Sequence, residues 1–351
     1  MADEFSLHAI DIQSEDRDAI RNEIFEQMTT VGFLLLENIP NYDEEKYLKA
    51  CKAFHALPKD IKEQLYTRAN KKENSNQYRG YFPFKSNDAS HKEFYDMSFD
   101  ITKFPEDEQK YPLYEQTPFP DGEEYEWIQQ EFSKMQDTLF EAALTTMRYI
   151  AEGLGKPKNF FDAWFDKGTL TALRSIHYEP RGAVSGLDFS KLESDSLKLT
   201  TPEHADSGVL TMLVTFGYPG LQVEIDGEYR SIKPVSNAVV VNLGGLLSRL
   251  SNYKLKATMH RVLDIGRERY SSPLFMEPRY SAVISPCILS SSYDYKSAGD
   301  VPKREGNVLY GDWLIKRVMK FVEFHDFEIP KERKSIIEKL PATEEESKVA
   351  C

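Results

Sequence analysis

Cysteine is scarce in this chain. The three present, Cys51, Cys287 and Cys351, are odd in number, far apart and without a C-x-x-C pair. That excludes a disulfide-stapled scaffold and reads as free thiols in a reducing compartment. Long apolar runs are also missing: none approaches the ~20 residues that cross a bilayer. The opening Met1-Ala-Asp-Glu-Phe-Ser6 has neither the basic nor the apolar part of a secretion signal. Positive charge is in deficit, with 44 Lys and Arg against 57 Asp and Glu and a formal net charge of −13. Nucleic-acid backbones, which are bound by clustered cations, are therefore disfavoured as partners. A cytosolic monomer without membrane or nucleic-acid partners is the expectation. Internal repeats and low-complexity segments are absent too. What remains is an ordinary globular balance, 40% hydrophobic and 29% charged over 351 residues, enough for a sizeable core.

The apolar spacing divides the chain. Ser14 to Val31 reads as an amphipathic helix capped by Ser14 or Asp16, with Ile20, Ile24, Phe25 and Met28 facing inward. Gly32 to Asn38 follows as a buried strand, then helices over 43–57 and 59–66. Lys71 to Asp121 is polar, aromatic and turn-rich, the composition of a lid or substrate wall as well as of ordinary surface loops. Glu123 to Gly153 carries the longest helical signal, with Phe132, Met135, Leu139, Met147 and Ile150 in a core stripe. Beyond residue 169, short strands are expected at 170–178, 209–215, 220–225, 229–232, 237–243, 258–264 and 279–289, with a hairpin at Asp226-Gly227. A helix over Gly311 to Phe324 and a charged, loosely held tail from Lys331 close the chain. The division expected is 1–120 mixed helical, 121–165 packing helix, 166–330 a short-stranded sandwich or jelly roll and 331–351 tail.

The chemistry gathers in two places. His204-Ala-Asp206 puts an imidazole and a carboxylate two residues apart, a spacing that in a strand points both to one side. His260, in Met259-His-Arg-Val262, supplies a second imidazole. Two His and one carboxylate form the facial ligand set of non-haem Fe(II), with open coordination positions on the other face. Downstream, Arg269-Tyr-Ser271 sets a guanidinium beside a hydroxyl, and a planar guanidinium fork binds a carboxylate bidentately. A lone His-x-Asp is weak evidence in a chain with seven His; a surface ion pair on a strand is its plain reading. The ordered set is stronger.

Together, Gly32-Phe-Leu-Leu-Leu-Glu-Asn38, Phe54-His-Ala-Leu-Pro58, Tyr78-Arg-Gly-Tyr81, His204-Ala-Asp-Ser-Gly-Val-Leu-Thr-Met-Leu213, Val241-Asn-Leu-Gly-Gly-Leu246, Met259-His-Arg-Val262 and Arg269-Tyr-Ser-Ser-Pro-Leu-Phe275 resemble the isopenicillin N synthase-like branch of the Fe(II)/2-oxoglutarate-dependent dioxygenases. The resemblance covers nearly the whole chain. It implies an α+β fold with a mainly β core, a distorted double-stranded β-helix (jelly roll) flanked by helices. It implies Fe(II) held by His204, Asp206 and His260, and 2-oxoglutarate held by Arg269, Ser271 and Tyr178. O2 would be the oxidant, with ascorbate a supporting reductant in vitro, and succinate and CO2 the coproducts. The expected reaction is hydroxylation, desaturation or oxidative cyclisation of a small molecule, with carboxylated or amino-acid-derived ones preferred. Arg174, Tyr81, Phe82 and Trp313 are candidate substrate contacts, and His177 reads as a satisfied core histidine. The sequence departs from the family at Gly245, Tyr253 and Ile176, none of them a ligand.

Rival readings remain. Some relatives, isopenicillin N synthase among them, work without 2-oxoglutarate and turn the Arg-x-Ser pair to a substrate carboxylate. A zinc hydrolase would need a general base beside the metal, and no His-Glu-x-x-His motif is present. A non-catalytic binding protein on the same fold would be expected to have lost a ligand.

Overall fold

The computed structural model describes residues 5–85, 89–166, 168–181, 198–286, 288–290, 295–301, 307–324 and 326–340. Its two main sheets contain β1 (Ala9–Asp11), β2 (Phe33–Glu37), β3 (Gly80–Phe82), β4 (Glu93–Ser98), β5 (Ala172–Tyr178), β6 (Leu199–His204), β7 (Leu210–Val214), β8 (Leu221–Ile225), β9 (Glu228–Ser231), β10 (Val239–Leu243), β11 (His260–Leu263) and β12 (Arg269–Met276). The larger sheet runs β1-β2-β10-β7-β12-β5-β4-β3 and the smaller β6-β11-β8-β9. β1 pairs with β2 in parallel, and the other pairs are antiparallel. The result is a large mixed sheet facing a small one, with helices behind, rather than a closed barrel.

Patterning explains the layers. Phe33, Leu34, Leu35 and Leu36 of β2 are all buried, as expected of a strand covered on both faces. Leu34 and Leu36 join the large core under the helices, while Phe33 and Leu35 join a smaller one with Val223 and Val240. The helix Arg17–Thr30 is capped by the Asp16 carboxylate, which accepts from the Ala19 N–H. The helix Glu123–Gly153 lies against β7 and β12. From it Phe132, fully buried, meets the rings of Tyr47, Phe54 and Tyr95 at centroid distances of 5.4, 5.7 and 6.0 Å. The Asp226-Gly227 hairpin forms, with both residues at positive φ (55° and 80°) and Ile225 opposite Glu228, the two-residue turn that suits strand twist.

Several expectations are corrected. The region read as lid or loop supplies β3 and β4, so Tyr81 and Phe82 are sheet residues. β12 lies outside the expected strands, and Pro273 falls within it. Proline lacks the N–H that a central strand uses, yet Pro273 sits opposite Leu213 between β5 and β7. Among its described residues the run 279–289 contributes only Val283–Ile284 as strand. The tail from Lys331 begins with a helix, Lys331–Lys339, tied down by Arg333 on Asp312. Residues beyond 340 lie outside the described set, as does Cys287, while Cys51 is a buried free thiol. Among the described residues no helix is long and apolar enough to cross a membrane.

Removing the ring that joins helices to sheet should be costly. Phe132→Ala is expected to lower stability by about 3–5 kcal/mol. It would be read as a lower urea midpoint at unchanged slope; a loss under about 1 kcal/mol would contradict this packing account.

Candidate metal and cosubstrate site

A cavity of about 150 Å³ opens between the two sheets. His204 ends β6 and His260 begins β11, directly opposite one another in register, with ring centroids 4.2 Å apart. Asp206 lies past the end of β6, so one strand does not carry both members of the His-x-Asp pair. Instead the chain turns, and the Gly245 N–H donates to the Asp206 carbonyl at 2.6 Å. The Asp206 Oδ2 accepts from Thr211 Oγ1 (2.6 Å) and Asn242 Nδ2 (2.8 Å). Its Oδ1 is left facing His204 Nε2 at 3.6 Å and His260 Nε2 at 3.8 Å.

The ring orientations are set by backbone. His204 Nδ1 lies 2.8 Å from the Pro202 carbonyl and His260 Nδ1 3.1 Å from that of Thr258. With Nδ1 donating, each Nε2 lone pair points inward. The three ligand atoms lie within 4.8 Å of one another, a spread that an ion bonded at ~2 Å to each can bridge with little adjustment. Burial pushes the Asp206 carboxyl up, but the His204 and His260 rings and Thr211 outweigh it and hold it well below the usual range. Burial pulls His204 down, and Asp206 more than reverses this. His260, more enclosed, stays below its ordinary value through burial and the neighbouring His204 ring. Gly32 lets β2 approach: a Cβ there would stand 2.4 Å from Thr258 Oγ1, and φ is +76°. Phe33 then meets the His260 ring edge-on at 5.3 Å.

Beside these ligands lies a buried cation without a counter-ion. Arg269 is 5% exposed; its Nη2 donates to Thr200 Oγ1 (3.0 Å), and its guanidinium lies 3.7 Å from the centre of the Tyr178 ring. Among the described residues no carboxylate pairs with it. Tyr178 stands opposite Arg269 in the β5–β12 register, and Ser271 and Thr201 line the same cavity. Burial raises the Tyr178 hydroxyl, and the Arg269 charge reverses that. A buried, unpaired guanidinium beside two hydroxyls is a site for an anion.

Comparison with known proteins agrees with this geometry. The model for the 2OG-Fe(II) oxygenase superfamily matches residues 172–278, the span holding all three ligands and the Arg-x-Ser pair. That for the N-terminal region of non-haem dioxygenases in morphine synthesis matches residues 7–122. The chain belongs to the 2OG-Fe(II) oxygenase superfamily. It is 33% identical over 159 residues to the 2-oxoglutarate-Fe(II) type oxidoreductase hxnY of Emericella nidulans, covering 44% of this chain and 42% of that protein. It is 29% identical over 206 residues to isopenicillin N synthase of Streptomyces griseus, covering 58% of this chain and 59% of that one. The chain thus spans less than two-thirds of the length of either relative. A crystal structure of a full-length Neurospora crassa protein in complex with alpha-KG and 5-formyluracil superposes at a TM-score of 0.66 and 26% identity, over 88% of this chain and 94% of that one.

Not every candidate side chain reaches the cavity. Arg174 does line it, but both its Nε and Nη2 are bound to Asp96 at 2.7 Å, and Phe94 covers the guanidinium at 4.0 Å. Tyr81 donates to Glu93, Phe82 stacks on Phe94, and Trp313 packs on Tyr310; none of the three lines the cavity. Alternation along β3 turns Tyr81 to the Glu93 face and Phe82 to the Phe94 face, where Phe94 lies against Arg174, while Trp313 is held in its own helix. Lys92, missed by sequence reasoning, does line it. It sits one residue before β4, in a segment read as loop, so no strand period marked its direction.

A second group of possible ligands, His55, Glu93 and His177, lies on the opposite face of β5. Glu93 Oε1 accepts from both rings (3.1 and 2.8 Å) and Oε2 from Lys62 Nζ (3.1 Å) and Tyr81. His55 Nε2 meets Ser175 Oγ at 3.0 Å, and His177 Nε2 meets Glu268 at 3.1 Å. Every ligand atom is spent and the Lys62 ammonium takes the cation's place, so this is a structural network. It gives His177 the satisfied core role expected from the sequence.

Behind the Asp206 turn stands Glu277. A Cβ on Gly208 would sit 2.7 Å from its Oε1, while its Oε2 is buried without a partner. Burial raises this carboxyl from 4.5 to about 8, with Asp206 adding to the effect and Arg79 opposing it. Between those values the folded chain keeps a proton that the unfolded chain releases, so stability falls as pH rises through the window. The slope is at most about 1.4 kcal/mol per pH unit. Glu277→Gln is expected to flatten this fall, seen as urea midpoints at pH 5.5 and 8 that differ less than in the wild type. Parallel falls in both proteins would contradict it.

Proposed function

We propose that this chain works as a 2-oxoglutarate-dependent dioxygenase in which His204, Asp206 and His260 hold Fe(II) and Arg269, Ser271 and Tyr178 hold the cosubstrate's distal carboxylate. The observation that carries the reading is the pairing of three converging ligand atoms with a buried, uncompensated guanidinium in one cavity. Bound together, Fe(II) and 2-oxoglutarate supply oxygen activation coupled to decarboxylation of the cosubstrate to succinate and CO2. The chain's own residues do the positioning. Thr211 and Asn242 fix Asp206 so that Oδ1, not Oδ2, faces the metal position. The Pro202 and Thr258 carbonyls hold the two rings with Nε2 inward. Arg269, held by Thr200 and the Tyr178 face, aims its fork at an anion that enters from the cavity. Apolar walls such as Phe33, Leu213, Val262 and Phe275 exclude water from the reacting centre.

The substrate is a small molecule, oxidised by hydroxylation, desaturation or ring closure. The Neurospora crassa structure, which holds 5-formyluracil together with alpha-KG, supports the same class. A second reading draws on the similarity to isopenicillin N synthase: the Arg269–Ser271 pair would take a substrate carboxylate, and 2-oxoglutarate would not bind.

Anaerobic titration of the Fe(II)-loaded protein with 2-oxoglutarate separates the two. A visible charge-transfer band is expected in the wild type, with half-saturation raised at least about tenfold in Arg269→Ala, the effect of losing a charge-assisted contact. Iron binding without a band would favour the oxidase reading. Separately, Asn242→Ala, which removes one of the two bonds that hold Asp206 Oδ2, should weaken iron binding by about 10–100-fold, measured by competition with a chelator; unchanged affinity would remove Asn242 from the positioning set.

A further inference from the structure

One cation in the cavity is left without a role by the reading above, on which this inference rests. Lys92 precedes β4, whose Glu93 pairs with His177. By strand alternation Lys92 falls level with Tyr178, on the cavity side, while Glu93 and His177 turn to the back. Lys92 is among the residues that line the cavity and is half-buried. Among the described residues nothing accepts a hydrogen bond from its ammonium and no carboxylate pairs with it.

Charge balance gives this lysine a partner. Its companions in the wall are the cations Arg174 and Arg269 and the carboxylate Asp206. Arg174 is neutralised by a two-pronged bond to Asp96. The positive charges of Fe(II) and Arg269 are matched in full by Asp206 and the two carboxylates of 2-oxoglutarate. The loaded cavity would therefore retain the single charge of Lys92. An uncompensated ammonium beside apolar wall is costly unless an anion meets it. We infer that Lys92 is the substrate anchor, and that the substrate is a small monoanion, a carboxylate on a compact apolar body, oriented by that ammonium towards the metal position. Arg174, the cation suggested by the sequence, is the wrong one because Asp96 has already taken its charge.

The test uses protein loaded anaerobically with Fe(II) and 2-oxoglutarate and a panel of small monocarboxylic acids, each paired with its primary amide. Binding is read by thermal shift, then by calorimetric Kd. Acids are expected to raise the melting temperature and their amides not to. Lys92→Met should weaken the bound acids at least about tenfold, and Lys92→Arg should keep them within about threefold, since the charge remains. Half-saturation by 2-oxoglutarate should be the same in all three proteins, which also shows that the variants are folded. The inference is overturned if acids show no advantage over amides, if Lys92→Met binds them as the wild type does, or if that variant instead loses 2-oxoglutarate, which would make Lys92 a cosubstrate contact. Failure of the wild type to bind 2-oxoglutarate at all overturns the dioxygenase reading instead.

Discussion

Everything at the centre of this protein depends on Asp206 facing two imidazoles with one oxygen while the other is held from behind. A carboxylate drawn this far from water is unstable unless its charge is met. Here it is met twice, by hydroxyl and amide donors from β7 and β10 and by the rings at the facing ends of β6 and β11. The two sheets are thus joined electrostatically at the point where a cation would sit. The close approach at Gly32 and the edge-on contact of Phe33 carry the same constraint to the N-terminal part of the chain. In the large sheet β1 and β2 join through β10, and β3 and β4 join at the other end through β5.

Among the described residues there are two His-carboxylate-His clusters, and what distinguishes them is how their lone pairs are spent. In the cavity each Nδ1 is tied to a carbonyl and each Nε2 is left free to meet an ion. Behind β5 both His55 and His177 turn Nδ1 to Glu93, and Lys62 and Tyr81 bond its other oxygen. Similar residue types, packed on opposite faces of one sheet, give a ligand site on one side and a closed polar network on the other. Tyr270, stacked on His177 at 4.7 Å between Arg269 and Ser271 in sequence, connects the network to the anchor strand.

Much of this could be read from the sequence, and the exceptions have physical causes. His204, Asp206, His260, Arg269 and Ser271 stood out because their spacing has a chemical meaning that survives without a structure. The helix Glu123–Gly153 was legible from end to end because a long amphipathic period is a strong signal. The strand reason given for His-x-Asp did not hold, since a turn fixed from Gly245 does that work. β12 carries Pro273 and lay outside the expected strands, and β3 and β4 were hidden by the polar, turn-rich composition around them. Tyr81, Phe82 and Trp313 drew notice as aromatics but pack inward, and Lys92 drew none, because a lone lysine before a strand has no periodicity to give its direction. Whether a charge is free or spent, as for Lys92 against Arg174, depends on tertiary partners that no local pattern encodes.

The measurement that bears most directly on the central claim is iron content after anaerobic loading and removal of unbound metal. It compares the wild type with His260→Ala and with His55→Ala. The account predicts about one iron per chain in the wild type and in His55→Ala, and almost none in His260→Ala, because among the described residues only the cavity cluster offers free ligand atoms. Iron retained at the wild-type level by His260→Ala, or lost from a folded His55→Ala protein, would contradict it.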